Sequence, residues 1–322
     1  MLLGWFVYAD GKEVDSGTSL AEVRPQRSDG EFVWIRVVEP TPGEIRELTA
    51  VFGLPELAVE DAVTAHQRPK LERYDDTVFL VLKPAEYNDQ AETISLGEIH
   101  VFQGRGFCIT VRHGDIGQLS DVHQRLEATP ELMALGSAAV LYAVADQVVD
   151  AYIPVIQGLE VDILQIERAV FDQDQQPPTE RIYGLIREVL EFQRATSNLL
   201  LPLDDLAKGR IAGVDRGMNP FFRDVADHAQ LVQESAENFR ELLSDALQAN
   251  LAFIGLQENR DQRKISAWAA IALVPTIIGG IWGMNVGSLP FTDSFLGFPV
   301  LILIMASVSG YLYWRLHRSG WL

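Results

Sequence analysis

Between Ile265 and Trp314 the chain carries one charged residue, Asp293. Two apolar segments fill that stretch, Ile265–Met284 and Phe295–Trp314. Each is about 20 residues long, the length an α-helix needs to cross a hydrocarbon core. A buried hairpin inside a soluble core is the competing fate, but a soluble helix of that length carries a polar face. The segments read as two transmembrane helices. Arg260, Arg263 and Lys264 precede the first, Arg315, His317 and Arg318 follow the second, and the connection holds no Lys or Arg. The positive-inside bias then places both termini in the cytoplasm and the connection outside a cell membrane.

The remainder is acidic. Among 322 residues, 45 Asp and Glu face 26 Lys and Arg, a net charge of −19. Phosphate binding needs clustered cations, so nucleic acid is excluded as a partner. The charge suits a surface that stays soluble and draws cations. Cys108 is alone, which excludes an internal disulfide and a cysteine-based zinc cluster. The opening "MLLGWFVYADGKEV" has no basic region and too short an apolar run for a signal peptide; it reads as a strand. The six histidines show no paired spacing for zinc; His66 in "AHQRPK" reads as a turn residue and His317 as part of the basic flank.

Up to about Val111 the segments "FVWIRVVEP", "TVFLVLKPAEY", "EIHVFQG" and "FCITVRHG" are β-branched, aromatic and bounded by turn residues, so they predict strands. "TPGEIRELTAVFGL" predicts a helix with Thr41 as cap, Pro42 at its first position and Gly53 as its stop. "PELAVEDAV" predicts a second. After Ser120 the periodicity is helical: Ala138–Phe171 as one helix, a break at "QDQQPP", then Thr179 capping Arg181–Leu201 in a long hairpin. Pro220–Asn285 contains one interior proline, Pro275, and predicts a single helix of roughly 100 Å whose end is the first span. The fold class is an α+β membrane protein: a mixed α/β cytoplasmic domain (1–137), long helices forming a funnel and stalk (138–264), a first span (265–285), an outside loop (286–294), a second span (295–314) and a basic tail (315–322).

Asn259, Gln262, Ser266, Ala269, Leu273, Thr276 and Gly280 recur at steps of three and four and share one helix face. Trp268, Ile271, Ile278 and Trp282 project elsewhere. Small residues on a membrane helix face commonly mean helix packing; the amides and hydroxyls here point also to a water-lined surface. Two helices cannot enclose a pore. A pore therefore requires several copies around an axis, with the second helix toward lipid and Trp314 and Trp321 as interface anchors.

The first span ends in Gly283, Met284 and Asn285, within "VPTIIGGIWGMN". This triplet, its place before a short loop and second span, and the segments "LAVEDAVTAHQRPKLERYDDTVFLVLK", "FFRDVADH" and "HRSGWL" resemble the CorA family of magnesium channels over essentially the whole chain. The resemblance implies a homopentamer with a funnel-shaped cytoplasmic domain. It implies an Asn285 ring that receives hydrated Mg²⁺, and inner rings at Gly280, Thr276, Leu273, Gln262 and Asn259. Mg²⁺ holds its waters tightly. Neutral side-chain oxygens accept hydrogen bonds from those waters and still release the ion. Mg²⁺ is then substrate and possible regulator, with Co²⁺ or Ni²⁺ as further cargo, and no organic cofactor is implied.

Two departures stand out. The loop "VGSLPFTDSF" has only Asp293 where relatives carry an acidic loop, and "GMNVGSLP" leans toward the zinc-transporting ZntB branch, so Zn²⁺ transport is the alternative. The family's regulatory aspartates fall near Asn88 and Gln248, with Asp89 and Asp245 as neighbours and Asp224 in "FFRDV" as an acidic match. Amides bind a hard cation less well than carboxylates. A membrane-anchored enzyme needs a nucleophile–base pair, and no such motif stands out. A scaffold leaves the amide-bearing mouth unexplained.

Overall fold

A computed structural model describes residues 1–23, 30–172, 177–284 and 295–322. The chain forms two compact units, Met1–Ala246 and Leu247–Leu322. Its elements are β1 (Leu2–Ala9), β2 (Lys12–Gly17), β3 (Glu31–Val38), α1 (Pro42–Phe52), α2 (Glu56–Thr64), β4 (Lys70–Tyr74), β5 (Thr77–Leu82), β6 (Ala85–Asn88), β7 (Thr93–Leu96), β8 (Glu98–Gly104), β9 (Phe107–His113), α3 (Ser120–Glu127), α4 (Pro130–Met133), α5 (Ser137–Asp150), α6 (Tyr152–Phe171), α7 (Thr179–Thr196), α8 (Leu200–Ala207), α9 (Asn219–Trp282) and α10 (Gly297–Arg318).

The first unit is built on a seven-stranded sheet of order β2-β1-β3-β9-β8-β5-β4, antiparallel except between β3 and β9. β5 and β8 are buried along their whole lengths, as unbroken strands are when both sheet faces are covered. Ile45 and Leu48 of α1 and Ala58 and Ala62 of α2 pack on Val33, Ile35, Phe79, Phe102 and Ile109. α5 lies against β3, β8 and β9. α1 starts and stops as its sequence dictates. Thr41 and Glu44 form a reciprocal capping box, and Gly53 ends the helix at φ 64°.

Among the described residues three helices are long and apolar enough to cross a membrane by length and composition, one more than the two expected. The extra one, Ser137–Phe171, is 61 % buried over its apolar stretch, against 6 % and 0 % for those ending at Trp282 and Arg318. Its hydrophobicity is therefore consumed inside the soluble core. It is also not one uninterrupted helix: a turn at Ala151 separates α5 from α6. Pro154 has no N–H to give the Asp150 carbonyl, so the ladder breaks there. Thr179 is not the cap of α7 but its first residue; Pro178 holds the cap position, with no side-chain cap bond. From Met218 to Ala246 the residues Met218, Phe222, Val225, Ala229, Val232, Ala236, Phe239, Leu243 and Ala246 are buried. Their alternating steps of four and three are the seam of a helix packed along one side.

The β6–β7 hairpin is pinned to the long helices. Tyr87 donates to Asp162 of α6 at 2.5 Å, and Glu188 of α7 accepts from the Ile94 amide at 2.9 Å. The Tyr87 ring lies where Gly158 has no side chain: a Cβ there would sit 2.2 Å from Tyr87 Cδ1. Because the hydroxyl is tethered, the ring cannot swing aside cheaply. Gly158→Val should destabilise the soluble unit by about 1–3 kcal/mol, read as a lower urea midpoint, and an unchanged midpoint would show that the hairpin moves freely.

Buried Glu98 accepts from Lys83 Nζ (2.6 Å), His100 Nε2 (2.5 Å) and the Gln67 amide (3.0 Å). Burial opposes its charge, but the hydrogen bonds from His100, Lys83 and Gln67 outweigh burial and bring the carboxyl down to about 2. A depressed acid stabilises above its unfolded value, 4.5, and that contribution disappears as pH falls toward 2. Urea midpoints of the wild type should fall steeply across this interval. Glu98→Gln should start about 3 kcal/mol lower at pH 7 and show a flatter acid limb; parallel curves would contradict the assignment.

Candidate functional site

The second unit contains the end of α9 and all of α10. Ala267 is buried, and Ile271, Val274, Ile278 and Trp282 are half-buried, whereas their neighbours on α9 are exposed. α10 comes close beside this face: the Trp268 and Tyr313 rings lie 6.3 Å apart, and a Cβ on Gly279 would approach the Met305 methyl at 3.9 Å. Asn259, Gln262, Ser266, Ala269, Leu273, Thr276 and Gly280 are all exposed. At 100° per residue their centre lies about 150° around the helix from the α10-facing set. The second helix thus covers one side of α9 and leaves the small and polar stripe bare.

Local chemistry along the stripe favours acceptors. The Thr276 hydroxyl donates to the Ala272 carbonyl at 2.9 Å, so its proton is occupied and its lone pairs remain available. Leu273 is 55 % exposed and is the largest apolar member of the stripe. At the end of α9 the Gly283 amide bonds Gly279 O at 2.9 Å, and the Met284 amide bonds Ile281 O at 3.3 Å, a tightened final turn. Asn285 and the loop 286–294, with Asp293, lie outside the described residues.

Basic and aromatic groups gather at the other ends. Lys264 lies 3.8 Å from Asp261, Arg318 sits 5.5 Å over the Trp314 ring, and His317 stacks on Tyr313 at 5.8 Å. α10 runs past Trp314 to Arg318, so the basic flank is its last helical turn. Such pairing of cations with Trp and Tyr is characteristic of membrane interfaces.

The regulatory candidates fall into separate places within the chain. Asn88 closes the β6–β7 turn, its Oδ1 accepting from the Gln90 and Ala91 amides at 3.0 Å each. Asp89 lines a 680 Å³ groove that also exposes Glu86, Asp115 and Asp121. Asp245 and Gln248 are exposed on α9. Asp224 faces Asp146 and Asp150 of α5. Asp146 is pushed up by burial and then by Asp150, against the pull of its Arg125 partner at 2.7 Å, with Asp224 adding to the rise. Among the described residues no hydrogen bond or ion pair joins Asn88 or Asp89 to Asp224 or Asp245. The sequence placed Asp150 only on a polar face; the pairing of α5 with α9, where His228 Nδ1 lies 3.2 Å from Asp150 Oδ1, is tertiary and left no local signal.

A family model described as "CorA-like Mg2+ transporter protein" matches residues 29–318. The chain belongs to the CorA family. A cobalt/magnesium transport protein CorA of Thermotoga maritima is 25 % identical over 308 residues, covering 95 % of this chain and 88 % of the relative. A zinc transport protein ZntB of Yersinia pseudotuberculosis is 21 % identical over 327 aligned positions, covering 98 % and 96 %. The complete structure of the CorA magnesium transporter from Methanocaldococcus jannaschii matches with a TM-score of 0.79 at 18 % identity, over 99 % of this chain and 98 % of that one. The fold is therefore that of full-length CorA. By family the protein is a divalent-metal-ion transporter of the membrane rather than an enzyme.

Proposed function

We propose that this CorA-family chain is the protomer of a homopentameric channel that admits Mg²⁺, with Co²⁺ or Ni²⁺ as secondary cargo, into the cytoplasm. The observation that carries the reading is the stripe from Asn259 to Gly280, which α10 leaves bare on the opposite side of α9. Five copies with that stripe inward line a pore with amides, hydroxyls and one apolar ring at Leu273, which closes by dewetting. Both termini lie in the cytoplasm, because the basic turns flank the spans on that side. Asn285 forms the outer ring, beside Gly283 and Met284, and holds the hydrated ion through its waters. A divalent ion gains about 4.6 kcal/mol per 100 mV of inside-negative potential, so the field alone drives uptake.

Cytoplasmic Mg²⁺ regulates closure in this reading through Asp89, Asp224 and Asp245, with Asn88 and Gln248 as weaker neutral ligands. Asn88 contributes least, since its oxygen already accepts two amides. A second reading, Zn²⁺ transport, has its own support in the loop spelling "GMNVGSLP" and in the likeness to ZntB. Flux into liposomes, measured for Mg²⁺ with Zn²⁺ as competitor, separates the two. Asn285→Ala should lower Mg²⁺ flux at least roughly tenfold, the loss of about 1.4 kcal/mol of ion stabilisation, while the assembly stays intact. Wild-type flux through an assembled Asn285→Ala protein would sink the selectivity assignment.

A further inference from the structure

One group of side chains in the soluble unit has the composition of a transition-metal site. Glu13 on β2 and His123 and Glu127 on α3 each offer one ligand atom, and these atoms lie within 4.8 Å of one another. His123 and Glu127 are four residues apart and share a helix face; His123 Nε2 is 3.3 Å from Glu127 Oε1.

The N-terminal hairpin is built to deliver Glu13. Asp10 and Gly11 both have positive φ, 49° and 78°, the combination a two-residue hairpin turn requires. With Ala9 opposite Lys12 across this turn, Tyr8 stands directly opposite Glu13, before the register slips between Val7 and Tyr8. Directly opposed residues share a sheet face, and Tyr8 already reaches His123. The turn is also seated: a Cβ on Gly11 would lie 2.0 Å from the Pro130 carbonyl oxygen, so only glycine lets the tip rest on the start of α4.

The imidazole is held as a ligand is held. Its side chain is 16 % exposed, and its ring packs on Phe6 and Trp34 at centroid distances of 4.2 and 5.5 Å. Nδ1 lies 3.4 Å from the Tyr8 hydroxyl, which leaves Nε2 turned toward the carboxylates. A metal on Nε2 requires the ring proton on Nδ1, and the Tyr8 oxygen is placed to accept it, the outer partner a metal-bound histidine needs.

We propose that Glu13, His123 and Glu127 bind a divalent d-block cation of the zinc, cobalt or nickel class. One imidazole nitrogen and two carboxylates suit such an ion, whose remaining positions water fills. Mg²⁺ demands an octahedron of oxygens and gains little from imidazole. The two carboxylates balance the ion's charge. The bound ion joins the N-terminal hairpin to α3, and it does so whatever ion the membrane helices carry.

The test is titration of the purified full-length protein with Co²⁺ in excess Mg²⁺, followed by the visible d–d absorption that imidazole ligation intensifies. A saturable band that Zn²⁺ displaces and a 100-fold excess of Mg²⁺ leaves in place (roughly the margin that separates specific from oxygen-only sites) is expected. His123→Gln and Glu127→Gln should abolish it, and Tyr8→Phe should weaken it about tenfold. Glu127 is largely exposed, so its amide variant keeps the fold and decides the matter even where His123→Gln does not fold. A band unchanged in Glu127→Gln, or displaced by Mg²⁺, overturns the site.

Discussion

A polar group on a membrane helix must meet protein or water, because hydrocarbon offers it no partner. That constraint organises the second unit. α10 meets α9 at Trp268 and Gly279, the buried and half-buried positions are Ala267, Ile271, Val274, Ile278 and Trp282, and Gln262, Ser266 and Thr276 on the other side of α9 stay exposed. The chain has no third described helix in this unit to cover them. Copies of the same chain around an axis are the economical answer, since symmetry turns one bare stripe into a closed ring. In such a ring, small side chains on the stripe would leave space for water and a hydrated ion.

Hydrophobicity in this chain has two destinations, and composition does not separate them. Ser137–Phe171 and Gly297–Arg318 have the same mean hydropathy of 1.5 over their apolar stretches, yet one is wrapped by the sheet and neighbouring helices and the other is bare. The flanks tell them apart. Asp150, Glu160 and Asp162 interrupt the first, and Arg181 reaches Asp162 at 3.0 Å in a half-buried ion pair at the edge of the first unit's core. Basic residues border the second only at its end. Charge position, rather than average hydropathy, is the discriminating signal.

Much of the fold was legible because its determinants are local. β8 and β9 follow the runs "EIHVFQG" and "FCITVRH", and α1 follows its capping box. His66, which reads as a turn residue, has a left-handed φ of 61°. Other features were legible and overlooked. Asp10-Gly11 is a hairpin turn signal inside what was read as one strand, and Pro154 marks the break between α5 and α6. What no window of sequence contains is the meeting of Glu13 with His123, or of His228 with Asp150, since each depends on how distant elements pack. The stripe on α9 was readable from periodicity; which side α10 would choose was not, because Trp268 and the small residues are equally compatible with helix packing.

The most direct measurement is a cysteine scan along α9 in a background where Cys108, fully buried, is replaced by Ser. Single cysteines from residue 259 to 282 are exposed to a membrane-impermeant thiol reagent in reconstituted protein, without Mg²⁺. Reaction at 266, 269, 273, 276 and 280, with protection at 267, 271, 274, 278 and 282, is the predicted pattern. Reactivity without that three- and four-residue period, or confined to the positions that face α10, would contradict a water-lined stripe.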